Sequence, residues 1–193
     1  MKKRMLVTMG VAWCLAGAAV FADGGLRTYQ TANVAVFGNA GMPLAGGATL
    51  YRGKQRLEMR VATSGLMPNS SYTVWWVIFN NPAACVGGCG ADDLPRPDVR
   101  ASVLYAAGLV TGLGDTGNVT AHLEAGTPPQ GVDVVSGNGL EPGRGYAAEV
   151  HLVVRTHGAT MPGQVDQQIG SFNGGCAPVC TNVQAAGFAP VAP

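Results

Sequence analysis

Residues Tyr72 to Phe79 read YTVWWVIF and run into Asn-Asn-Pro before meeting Cys85. Eight residues are too few to cross a bilayer as a helix, which takes about 20. The aromatic and β-branched content suits an extended strand. Alternation places Tyr72, Val74, Trp76 and Ile78 on one face and Thr73, Trp75, Val77 and Phe79 on the other. Both faces are apolar, whereas a strand of a two-layer sandwich normally buries one. The second face must therefore be covered by a loop or stand open as a patch with a purpose. The loops beginning at Cys85 and Cys176 are the natural covers, and Trp75 and Trp76 are the candidate ligand surface.

The rest of the chain supplies partners for such a strand. In KQRLEMRVAT (54–63), Gln55, Leu57, Met59, Val61 and Thr63 share one face and Lys54, Arg56, Glu58, Arg60 and Ala62 the other, a half-buried strand with a solvated side. Val119 to Ala125 and Gly145 to Thr156 alternate in the same way. In the latter, Tyr146, Ala148, Val150, Leu152 and Val154 point inward, and Glu149, His151, Val153 and Arg155 point outward or into a polar site. Gly and Pro turns separate these segments and helix signals are scarce. Eight or nine strands are expected, near 26–30, 33–38, 47–52, 54–63, 71–80, 99–111, 118–125, 145–156 and 164–172. The implied fold is all-β, an antiparallel β-sandwich in a single domain spanning 23–180. Residues 181–193 read as a loosely ordered tail with at most a short helical turn.

The N-terminus carries Lys2, Lys3 and Arg4, an apolar run from Met5 to Phe21, and Val20-Phe21-Ala22 before Asp23. This is the order of a secretory signal peptide at 1–22. The run, about 17 residues, is at the short limit for an anchor. The expected destination is the bacterial periplasm or the outside of the cell, with no membrane span in the mature chain. Processing would leave nine Lys and Arg against eleven Asp and Glu. A near-neutral surface lacks the basic footprint of nucleic-acid binding.

Cys85, Cys89, Cys176 and Cys180 survive processing as two C-x-x-x-C pairs. An even count in an exported chain favours disulfides. Four cysteines allow three pairings. Local bridges are favoured, with crossed bridges between the loops and a four-thiolate zinc site as the alternatives.

No catalytic set assembles in the sequence. Gly112-Leu113-Gly114-Asp115-Thr116-Gly117 matches the dinucleotide-loop spacing, but a strand pattern follows it where a phosphate-binding helix should open, so it reads as a hairpin. Asp92, Asp93 and Asp98 cluster without the order of an established calcium loop. The candidate transition-metal ligands are His151 with His122 or His157, with Glu149 two residues from His151 on the same strand face. His151 and His157 stand about 20 Å apart if the strand is continuous, so sharing an ion requires the chain to fold back at His157.

Two segments carry a resemblance. Ser64-Gly65-Leu66-Met67-Pro68 leading into Tyr72-Thr73-Val74 resembles the turn before the long strand of copper/zinc superoxide dismutase-like sandwiches and of the chordin-repeat (CHRD) domain. Ala148-Glu149-Val150-His151, then Pro162-Gly163-Gln164-Val165 and Gln168-Ile169, resembles the CHRD ending. The whole chain is similar to uncharacterised exported bacterial proteins sharing a YTVWWxxFNNP segment. The resemblance implies an immunoglobulin-like or superoxide-dismutase-like sandwich. It does not carry the dismutase copper site, because Val74, Trp75 and Trp76 stand where that family places histidines, and only His151 carries over. The functional expectation is an exported, non-enzymatic binding or structural module for an unidentified ligand or protein partner, with no cofactor. The alternative is a metal-binding or metal-dependent protein centred on His151.

Overall fold

The computed structural model describes residues 28–37, 44–128 and 130–192. Residues 1–22, expected to be a signal peptide, lie outside them. Among the described residues the fold is all-β: nine antiparallel strands in one curled sheet. In chain order these are β1 (Thr28–Val36), β2 (Leu44–Arg52), β3 (Arg56–Thr63), β4 (Ser70–Phe79), β5 (Ala101–Val110), β6 (Gly117–Glu124), β7 (Val134–Ser136), β8 (Glu149–Ala159) and β9 (Thr181–Phe188), with a short helix α1 (Val165–Gly170) before β9. Their order across the sheet is β6-β3-β2-β1-β9-β8-β4-β5-β7. Among the described residues, no helix is long and apolar enough to cross a membrane.

The sheet folds over at one weak seam. Among the described residues the β1–β9 ladder is short, running through Ala35–Ala185 and Val36–Gln184 to the bond from Phe37 N to the Val183 carbonyl, so β6-β3-β2-β1 can turn to face β9-β8-β4-β5-β7. The inner faces meet in a core built on Leu50, Leu57, Met59, Tyr72, Val74, Trp76, Ile78, Leu104, Val150, Leu152 and Phe188. This explains the alternation in β3, where Leu57, Met59, Val61 and Thr63 are buried. The Gly112–Gly117 stretch is the β5–β6 connection but not the expected hairpin: β5 pairs with β4 and β7 while β6 pairs with β3, so it crosses from one arm of the curled sheet to the other.

Among the described residues Arg52 is the most deeply buried of the charged side chains, ahead of Asp93 and Arg155. Arg52, at the end of β2, is fully buried and donates to the carbonyls of Gly145, Ala148, Phe188 and Ala189 and to Gln30 Oε1. Burial lowers its pKa to about 10, opposed by the charge of Glu149, so it remains cationic at neutral pH. Buried carbonyls left without a donor are costly. Arg52 therefore ties the end of β9 and the turn before β8 to the opposite layer.

The C-terminal part departs from the sequence expectation in two places. Residues 164–172, expected to be a strand, contain α1. The reason is Gln168, whose buried amide donates to the carbonyls of Ala159 and Gly175 and accepts from Met161 N. This ties the helical turn across the end of β8. Gly108 lets the turn lie close on β5, where a Cβ would overlap the Ile169 carbonyl. Residues 181–193, expected to be a loose tail, contain β9, which lies between β1 and β8. The sequence TNVQAAGF has weak strand propensity. Pairing on both sides, and the bonds of buried Gln184 to Thr63 Oγ1 and the Ser64 carbonyl, supply what propensity does not. The expected strands at 26–30 and 33–38 are one strand, β1, and the three-residue β7 was not anticipated.

Candidate functional site

β4 is buried along its whole length on both faces. Tyr72, Val74, Trp76 and Ile78 enter the inter-layer core. Trp75, Val77 and Phe79 form a second cluster outside the sheet with Val99, Val103 and Val153. Two loops cover that outer cluster, and each contains a disulfide: Cys85–Cys89 and Cys176–Cys180. The pairings are the local ones.

The first cover runs from Asn80 to Arg100. Asn80 donates from its amide to the carbonyls of Arg100 and Gly139, and Asn81 donates to that of Asp98. Asp93 accepts from Gly90 N and from Arg96, and Arg96 also pairs with Asp98. The acidic cluster is thus a turn fastened by arginine, which seats Leu94 and Pro95 beside Trp75.

The second cover hangs on Arg155 of β8. Its guanidinium lies 4.0 Å from the Phe172 ring centroid and donates to the Phe172 carbonyl, Asn182 Oδ1 and Asn173 Oδ1. Phe172 N donates to Asp133 Oδ2. Phe172 is thereby held edge-on to Trp75, at 4.9 Å and 86°. Tyr105 meets the same indole at 5.9 Å.

Between the covers lies a cleft of about 350 Å³. Trp75, Val77, Val103 and Val153 form its floor, Leu94 and Pro95 one wall, and Val135 of β7 and Phe172 the others. Ser136 and Asn182 bring polar groups to it. The lip is open, since Val135 is 46% exposed. An apolar concavity of this size with few polar groups is the ordinary form of a small-molecule site.

A chain of hydrogen bonds leads from the floor of the cleft to the second disulfide. Trp75 Nε1 donates to Thr73 Oγ1 at 2.7 Å, and the Thr73 hydroxyl lies 3.0 Å from His157 Nε2. His157 Nδ1 is 2.8 Å from the Gly174 carbonyl and 3.2 Å from Cys180 Sγ. A carbonyl can only accept, so Nδ1 carries the hydrogen and Nε2 accepts from Thr73. This is the neutral imidazole. Burial lowers its pKa, reinforced by the charge of Arg155 and opposed by the bond to Gly174.

The candidate metal residues do not come together as expected. His151 pairs with Glu149 at 2.8 Å, as the strand spacing suggested, and packs on Phe79. His122 lies on β6, opposite Glu58 of β3, in a shallow groove with Arg56 and Glu124. His157 is fully buried under the 171–180 loop, because β8 continues to Ala159 instead of folding back. Among the described residues, the only set of three potential ligands is His157, Cys176 and Cys180, whose ligand atoms lie within 4.8 Å of one another. His157 belonged to the expected set, but its neighbours are different.

The two tryptophans also separate. Both are 1% exposed. Trp76 is locked in the inter-layer core and has no access to a ligand, whereas Trp75 floors the cleft. Arg155 and Phe172, which build the cleft, were not singled out by the sequence. Arg155 alone left a signal, as an arginine directly after the apolar run Leu152-Val153-Val154.

The fold and cleft define a disulfide-stapled β-sandwich-like protein with an apolar pocket on an outer sheet face. No family model matches the chain, and no curated protein or solved structure matches it.

Proposed function

We propose that this is an exported binding module, without catalytic machinery of its own, that holds a small, largely apolar ligand against Trp75. The observation that carries this reading is the cleft. Its floor is aliphatic and aromatic, its polar groups are few, and its walls are fastened by Arg155 on one side and the Asp93–Arg96 turn on the other. A preformed concavity limits the ordering cost of binding. The apolar run of the N-terminus and the two disulfides support export to the periplasm or the cell exterior, where such bridges persist.

Val135 at the lip offers a test that spares the core. The folded protein should bind 1-anilinonaphthalene-8-sulfonate saturably, with transfer of excitation from Trp75. Val135→Asp should weaken that binding at least about tenfold, since charge in an apolar site is costly to desolvate, while the melting temperature stays unchanged. Unsaturable binding, or equal affinity in Val135→Asp, would overturn the reading.

A further inference from the structure

We propose a second, redox-gated site: when a dithiol reductant opens the Cys176–Cys180 disulfide, the two thiolates and His157 Nδ1 form a three-coordinate site for copper(I). The ligand atoms are already within 4.8 Å of one another, and Nδ1 lies 3.2 Å from Cys180 Sγ. Soft thiolates with one imidazole select a soft d10 cation. A structural zinc site would want a fourth protein ligand, and among the described residues no further His, Cys, Asp or Glu joins the set.

The geometry does not depend on the disulfide alone. Ala177 N donates to the His157 carbonyl at 2.8 Å, and Gly158 forms a parallel bridge with Ala177. Gly158 has φ +82° and no room for a Cβ against the Ala177 carbonyl, so glycine is required for this close approach. Gln168 Nε2 holds the Gly175 carbonyl, and Ser171 Oγ accepts from Gly174 N. These bonds keep both cysteines over the imidazole after the sulfur–sulfur bond is cut.

The dithiol gives two electrons and two protons to the disulfide, leaving two cysteine thiols and an oxidised cyclic disulfide. Copper(I) displaces both thiol protons into solvent. At the imidazole the hydrogen moves from Nδ1 to Nε2, so the bond from Nδ1 to the Gly174 carbonyl is broken, and Nε2 then donates to Thr73 Oγ1 in the manner of the outer partners that orient metal-bound histidines. The Thr73 oxygen then accepts from both His157 and Trp75, and its own hydrogen rotates away from the ring. Occupancy therefore alters the polar partner of the indole that floors the cleft.

The test uses the Cys85→Ser, Cys89→Ser protein without residues 1–22, so that Cys176 and Cys180 are its two cysteines. It is reduced with dithiothreitol, desalted without oxygen and titrated with copper(I) against bicinchoninate. One copper per chain is expected, with sulfur and imidazole nitrogen in the X-ray absorption spectrum and a change in tryptophan emission. The oxidised form of the same protein should take up none, which supplies a control that needs no further folding. Thr73→Val should weaken binding about 10- to 100-fold, and His157→Gln should remove the imidazole signature. No copper uptake after reduction, equal uptake by the oxidised form, or unchanged affinity and spectrum in His157→Gln would each overturn the proposal.

Discussion

The two faces of β4 carry similar side chains and have different fates. On the inner face, Trp76 and its neighbours are covered by the opposite layer of the sheet, whose strands are fixed by long ladders of backbone hydrogen bonds. On the outer face, Trp75 and its neighbours are covered by loops held by a few side-chain bonds and two short disulfides. A sheet covers a face continuously because its side chains interdigitate at fixed spacing. Loops cover by pieces and leave a gap where the pieces do not meet. The cleft is that gap, so the same apolar chemistry makes a core on one side and a binding surface on the other.

This contrast is broken most directly at the tryptophans. Trp76→Ala should destabilise the protein by about 5 kcal/mol and Trp75→Ala by about 3 kcal/mol, the ends of the range for buried aromatic truncation. The second cavity joins an existing cleft, which water can enter. Chemical denaturation measures both, and equal losses would mean that the outer cluster is as much a core as the inner one.

A smaller effect should follow from removing the first staple. Cys85→Ser with Cys89→Ser should cost about 2 kcal/mol, the chain-entropy value for so short a loop. Dye binding in the cleft should fall more steeply than stability does, because Leu94 and Pro95 sit on that loop. Titration of the dye alongside denaturation would show it. Parallel losses would indicate that the cover and the sheet unfold as one unit.

The smallest effect should come from pH. His157 is buried neutral, with its pKa held below the ordinary 6.5. In the unfolded chain it takes up a proton at higher pH than in the folded one. Its contribution to stability is therefore complete above about pH 6.5 and declines as pH falls below that value. Melting temperature measured between pH 7.5 and 5 should decline, and His157→Gln should flatten the decline. An unchanged slope in that variant would assign the pH dependence to other groups.

Much of the inner architecture was legible in the residues. Period-2 burial in β3, the doubly apolar β4 and the favoured local pairing of the cysteines follow from alternation and spacing, whereas Leu152 to Arg155 of β8 are buried on both faces and Gly112–Gly117 joins two strands that do not pair. β9 and α1 were not legible, for one reason. TNVQAAGF has little strand propensity and becomes a strand because β1 and β8 leave a place for it. VDQQIG can be read as a strand and becomes a helical turn because Gln168 finds three backbone partners there.

The candidate sites divide in the same way. Local spacing put Glu149 and His151 on one strand face and favoured pairing each cysteine with its near neighbour, and the sequence by itself determined the strand parity behind the first. Only the tertiary structure could place His157 beside Cys180, Phe172 against Trp75 and Arg155 beneath the loop that holds them. These contacts join segments that share no periodicity, and they form only when a loop is laid across the outer face of a finished sheet.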